Sequence, residues 1–222
     1  MIRQTSVFKR SLVPLLSLTF MLGLSAFGTT ACSHTNSANK TGGAFKTSQA
    51  ELFAGHENDS RLFAETYPVT VENPFIIASY DELIAHLKFG TGVIVFGFPD
   101  CPRCRNAFPV LEKAFNKTNM GRYAGFRGKI IYYDFYDDRE ASNERYQTIV
   151  NYIKDSLPRD ASGNPRLYSP DIFFVAAGKV MGNHLDTVPS LTNPRDKLNE
   201  EQEAELLKIY MDLFGKIEDC GC

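Results

Sequence analysis

The chain has 222 residues, with 24 Lys and Arg against 26 Asp and Glu, 43% hydrophobic and 12% aromatic. That near balance, with no basic patch along the sequence, excludes nucleic acid as a partner. Its five cysteines stand at 32, 101, 104, 220 and 222, leaving the middle of the chain without staples, so they read as reacting groups rather than braces.

In chain order, Arg3, Lys9 and Arg10 precede an uncharged apolar stretch from Ser11 to about Gly28, then Thr29, Thr30 and Ala31. This is the pattern of a secretory signal over 1–31, and it implies export. Its removal leaves 21 basic against 26 acidic residues, a charge of minus five. The small residues ending in Ala31 before Cys32, with the polar run Ser33 to Lys40 after it, resemble a bacterial lipoprotein processing site. The resemblance implies that Cys32 is the lipidated first residue of the mature protein, anchoring it to the membrane on its extracytoplasmic side. Nothing later in the sequence is long and apolar enough to cross a bilayer. Residues 32–66, rich in Ser, Thr, Asn, Gly and Lys with scattered apolar positions, read as a flexible polar tether.

A single domain is expected over 67–217. Pro74 to Ala78 predicts a strand. Ser79-Tyr80-Asp81-Glu82 is a capping box that opens a helix with Leu83, Ile84 and Leu87 on one face, and Gly90 closes it. The continuous apolar run Val93 to Phe98 predicts a strand covered on both faces, and Arg105 to about Lys117 predicts a helix with Pro109 inside it. A strand follows over Lys129 to Phe135, then one helix from Glu140 to Leu157. Ile172 to Ala176 and Val180-Met181 read as strands joined by an Ala177-Gly178 turn. Asn199 to Ile217 predicts a last amphipathic helix, and 218–222 a short tail.

Between the second strand and its helix lies Cys101-Pro102-Arg103-Cys104. A thiol at a helix N-terminus meets unsatisfied N–H groups and the positive end of the dipole, which favour the thiolate, and a partner three residues on is within disulfide reach. A CxxC can also be half of a zinc site, but no second CxxC or CxxH stands at finger spacing, so no metal is expected. His86 and His184 read as surface or strand-end residues, because disulfide exchange needs no imidazole.

The order strand, helix, strand-CPRC-helix, strand, helix, strand, strand, helix resembles the thioredoxin-like family. Pro109 stands five residues after Cys104, where that family has a kinking proline. Ser169-Pro170 with Gly178 eight residues on matches its cis-proline and hairpin glycine. The resemblance implies an α/β fold with a central mixed sheet of about five strands flanked by helices. The long separation of Cys104 from Pro170 implies an enlarged helix-loop insertion over Asp137 to Leu167. It further implies thiol-disulfide exchange without a cofactor, with Cys101 as the exposed nucleophile and Cys104 resolving the mixed disulfide. Pro170 in cis and the Ser169 backbone would meet the substrate, while Asp100, Pro102 and Arg103 modulate the site. Partners would be thiols and disulfides of secreted or surface proteins and a separate redox partner.

The acidic-aromatic strand Tyr132 to Phe135 is similar to that of bacteriocin-transport accessory proteins of the same group. The competing class is therefore a non-enzymatic accessory or a copper- or zinc-carrying module on this fold. Two departures from the family stand out. Val95 occupies the place of its buried acid, and Asp100 the place of its usual Trp. Asp100 would raise the Cys101 pKa, against Arg103, Arg105 and the helix terminus, which lower it. Oxidase, reductase and isomerase directions all stay open. The tail Cys220-Gly221-Cys222 has three readings, a redox relay, an idle pair, or soft-metal capture. In the family the last helix lies on the sheet face opposite the CPRC helix, which would hold the tail away from Cys101.

Overall fold

The structure, a computed structural model, describes residues 54–123 and 125–218. The signal segment, Cys32, most of the tether, and Cys220 with Cys222 lie outside the described residues.

Structure begins earlier than composition implies. Helix α1 (Asp59–Thr66) falls within the stretch assigned to the tether. One aromatic holds it there: Phe63 is buried and stacks on Phe75 at 4.2 Å between ring centroids, with Tyr67, Phe108 and Tyr132 around it. Ahead of α1, His56 is held between two carboxylates, Nδ1 on Asp59 at 2.6 Å and Nε2 on Glu82 at 2.8 Å. Burial pulls the His56 pKa down, but these hydrogen bonds and charges outweigh it and leave the pKa raised. Asp59 also accepts the Ile77 N–H at 2.7 Å.

Five strands form one mixed sheet: β1 (Phe75–Ile77), β2 (Gly92–Gly97), β3 (Ile130–Asp134), β4 (Asp171–Ala176) and β5 (Lys179–Leu185), in the order β1-β3-β2-β4-β5. The first three are parallel; β4 runs antiparallel to β2, and β5 to β4. β2 is central and buried along its whole length, which is why its sequence is apolar without alternation.

Side chains alternate between two cores. On one face Val93 and Val95 join Tyr132, Ile172 and Phe174 under α1, α3 (Pro102–Lys117) and α6 (Glu200–Glu218). On the other, Ile94 and Phe96 join Tyr133, Phe173 and Val175 under α2 (Tyr80–Phe89) and α5 (Glu144–Ile153). The Ser79 capping box closes at both ends, Ser79 Oγ accepting the Glu82 N–H and Glu82 accepting the Ser79 N–H. Such a cap contributes about 1 kcal/mol.

Three expectations are corrected. The helix expected over 140–157 is the shorter α5, starting at Glu144 and ending at Ile153; a separate short helix, α4 (Tyr136–Glu140), precedes it, with Ser142 left-handed (φ 48°) between them and Asn143 capping α5 by accepting the Tyr146 N–H at 2.9 Å. The cap outcompetes continuation while leaving the apolar stripe of Tyr146, Ile149, Val150 and Ile153 intact. β5 runs well past Val180-Met181, because ladder pairing with β4 carries Gly182, Asn183 and His184 that no apolar pattern marks. Finally, α6 lies on the same sheet face as α3. The loop after β5 is pinned to α3 by Asn106, which donates to the Asp196 carbonyl and accepts the Leu198 N–H, so the apolar stripe of α6 meets Phe115 and Phe174.

Candidate active site

β2 ends at Gly97, and the turn Phe98-Pro99-Asp100 delivers Cys101 as the N-cap of α3. Cys101 Sγ accepts the Cys104 N–H at 3.1 Å, satisfying one of the helix's orphan donors. Pro102 stands at the first helical position, where its missing N–H costs nothing. The helix then runs unbroken through Pro109. Cys101 and Cys104 are disulfide-bonded, with Cα atoms 5.3 Å apart. Gly97 makes room for them: a Cβ there would stand 2.9 Å from the Phe108 ring and 3.4 Å from Cys104 Sγ.

The dithiol faces the segment that opens β4. The Ser169–Pro170 peptide is cis, and Ser169 Oγ lies 3.1 Å from Cys104 Sγ and 3.3 Å from Cys101 Sγ. This packing changes the expected exposure of the nucleophile: Cys101 is 2% exposed and Cys104 fully buried, both within the core shared by α3 and β4.

The two flanking arginines are hydrogen-bonded to other groups. Arg103 Nη1 donates to the Asp186 carboxylate at 2.6 and 2.7 Å, and Arg105 Nη1 donates to the Thr66 carbonyl at 2.7 Å. Asp186, left-handed at φ 73°, gives its own N–H to the Pro170 carbonyl at 2.8 Å. It therefore joins the CPRC turn to the proline segment, a role that no feature of the sequence marks. A cavity of about 340 Å³ opens beside this pair, lined by Arg103, His184, Asp186 and Thr187. Exposed Asp100 shares a second cavity, of about 280 Å³, with Phe98, Tyr136, Asp134 and Asp137. Burial raises the Asp134 pKa; the Tyr136 N–H opposes this, and the charges of Asp137 and Asp138 add to it.

The histidines differ. His184 is half-buried at the end of β5, its Nε2 donating to the Thr187 carbonyl at 2.7 Å, and burial lowers its pKa. His86 is not a surface residue: it is buried in α2, and burial pushes its pKa down to about 4. Val95, where the resemblance called attention to a missing acid, is fully buried in the same cluster as both cysteines. A buried acid does stand nearby. Asp171, directly after Pro170, pairs across to Phe96 on the other sheet face; its Oδ1 accepts from Asn183 Nδ2 at 3.0 Å and its Oδ2 has no hydrogen-bond partner among the described residues.

The helix leading to Cys220 and Cys222 ends with Glu218 accepting the Asn119 N–H at 2.9 Å, beyond the C-terminus of α3. At about 1.5 Å per residue that point is about 24 Å along α3 from its dithiol end. No family model matches the chain, and no curated protein or solved structure matches it.

Proposed function

We propose that this is a thioredoxin-like, extracytoplasmic thiol-disulfide oxidoreductase, tethered to the membrane through lipid on Cys32, that exchanges disulfides with secreted or surface proteins. The observation that carries the reading is the pair Cys101 and Cys104, joined at the first turn of α3 and facing the cis Ser169–Pro170 segment. The five-stranded mixed sheet, with the dithiol helix following its central strand, supports the same family reading. Cys101 as a thiolate would attack a substrate disulfide, and Cys104 would resolve the mixed disulfide. The Cys104 N–H on Cys101 Sγ, together with the helix terminus, favours charge on Cys101.

The near-complete burial of Cys101 favours one competing reading, an accessory module whose bridge is structural. One experiment separates the two. The mature protein is equilibrated in glutathione buffers of graded poise, with and without chelator, and the thiols of the Cys101–Cys104 peptide are counted by alkylation and mass spectrometry. The exchange reading expects a reversible two-thiol transition that chelation leaves unchanged, with Cys104→Ala trapping mixed disulfides that Cys101→Ala does not. A bridge that stays closed across the series, or metal retained in stoichiometric amount, overturns it. Metabolic lipid labelling lost in Cys32→Ala tests the anchor.

A further inference from the structure

The hydroxyl of Ser169 touches both sulfurs, at 3.1 and 3.3 Å. In the disulfide neither sulfur carries a hydrogen, so the serine O–H is the donor, and its one hydrogen can serve only one sulfur at a time. The two sulfurs are otherwise unequal. Cys101 Sγ also accepts the Cys104 N–H at 3.1 Å, whereas Cys104 Sγ sits fully buried among apolar side chains, next to the Gly97 backbone. A thiolate at Cys104 is penalised by desolvation, and the Ser169 hydroxyl is a donor positioned to offset that penalty.

We propose that Ser169 is a catalytic residue of the exchange, its hydroxyl hydrogen turning from Cys101 Sγ to Cys104 Sγ as negative charge passes from one to the other. The inference rests on the exchange reading above. In the reducing direction the Cys101 thiolate forms a bond to one sulfur of the substrate disulfide, the substrate S–S bond breaks, and the departing thiolate takes a proton from water. Cys101, now in a mixed disulfide, carries no charge, and the serine hydrogen is released to Cys104. The Cys104 thiol gives its proton to solvent, its thiolate bonds to Cys101 Sγ, and the second substrate thiolate leaves and is protonated. The substrate disulfide gains two electrons, the protein dithiol loses two, and Ser169 keeps its proton throughout. The hydroxyl thus provides the stabilisation of the resolving sulfur that Val95 cannot.

The test uses full-length mature protein carrying Cys101→Ala or Cys104→Ala, each combined with Ser169→Ala, Ser169→Thr or Ser169→Val. Difference titration of thiolate ultraviolet absorbance isolates the remaining active-site thiol from the other cysteines. Ser169→Val and Ser169→Thr have the same shape and differ in the hydroxyl alone, so the comparison holds even if the alanine variant packs poorly. The valine variant is expected to raise the Cys104 pKa by about one unit, the worth of one hydrogen bond to a charged sulfur. It should raise the Cys101 pKa less, because the Cys104 N–H remains, and threonine should restore both. Equal shifts at the two thiols, no shift, or a valine variant titrating like threonine overturns the proposal. A wild-type bridge that never opens in glutathione buffers sinks the exchange reading instead, and the two failures are thereby distinguishable.

Discussion

Asp171 offers a quantitative test of how the fold handles a buried charge. It opens β4, is fully buried, and has one carboxylate oxygen bonded to Asn183 and the other without a hydrogen-bond partner among the described residues. Burial pushes its pKa up from 3.8 to about 7, against the Asn183 hydrogen bond and the Ile172 N–H, which pull it down. The folded chain thus holds this proton more tightly than the unfolded chain. The carboxyl's contribution to stability is fully present below pH 3.8 and is lost as pH rises through about 7. Roughly three pKa units correspond to about 4 kcal/mol. Asp171→Asn keeps an oxygen for Asn183 and removes the titration. Urea unfolding of the oxidised protein and the variant at pH 4, 5.5 and 7.5 reads the difference. The variant should gain on wild type progressively with pH, by up to about 4 kcal/mol across that range. A difference that stays constant with pH would show that the carboxyl is solvated or paired in solution and would refute the reasoning.

Two further outcomes follow from packing. Phe63→Ala should cost about 3–5 kcal/mol in denaturant unfolding, because the ring stacks on Phe75 inside the main core; a loss below about 1 kcal/mol would detach α1 from the domain. Gly178→Ala should lower the thermal midpoint, with a loss of at least about 2 kcal/mol, since φ is +75° and a Cβ would stand 2.1 Å from the Lys88 carbonyl oxygen; an unchanged midpoint would mean that the turn rearranges.

Much of the scaffold was legible because its signals are local. β2 and β4 are apolar runs covered on both faces, the Ser79 box marks the start of α2, and the resemblance carried by Ser169-Pro170 and Gly178 pointed to the segment that faces the cysteines. What stayed hidden depends on single long-range contacts. The apolar anchor of α1 is one aromatic, Phe63, in an otherwise polar stretch, and its other ties, Asp59 to Ile77 and Thr66 to Arg105, are polar and long-range. The break at Ser142 comes from a cap that does not disturb the apolar stripe of α5. β5 contains Gly182-Asn183-His184, polar residues kept in register by β4, and Asn183 is spent on Asp171. At the site itself, the family resemblance put Ser169 beside the dithiol but could not give the direction of its hydroxyl. Nor could it show that Arg103 is bound to a left-handed aspartate 83 residues away.

The clamp on His56 has a mechanical consequence. Tension applied at residue 54 reaches the two charge-assisted bonds of His56 and the Asp59–Ile77 bond before it reaches the rest of α1. Of these, the Asp59–Ile77 bond fastens the segment to β1, an edge strand with β3 between it and the strand that feeds the dithiol, and the His56–Glu82 bond fastens it to the first turn of α2. Traction on the N-terminal side is therefore taken up at the edge of the sheet. The Thr66–Arg105 bond that ties α1 to the first turn of α3 lies further along the chain, so a pull from upstream meets the His56 clamp before it meets the turn that carries the sulfurs.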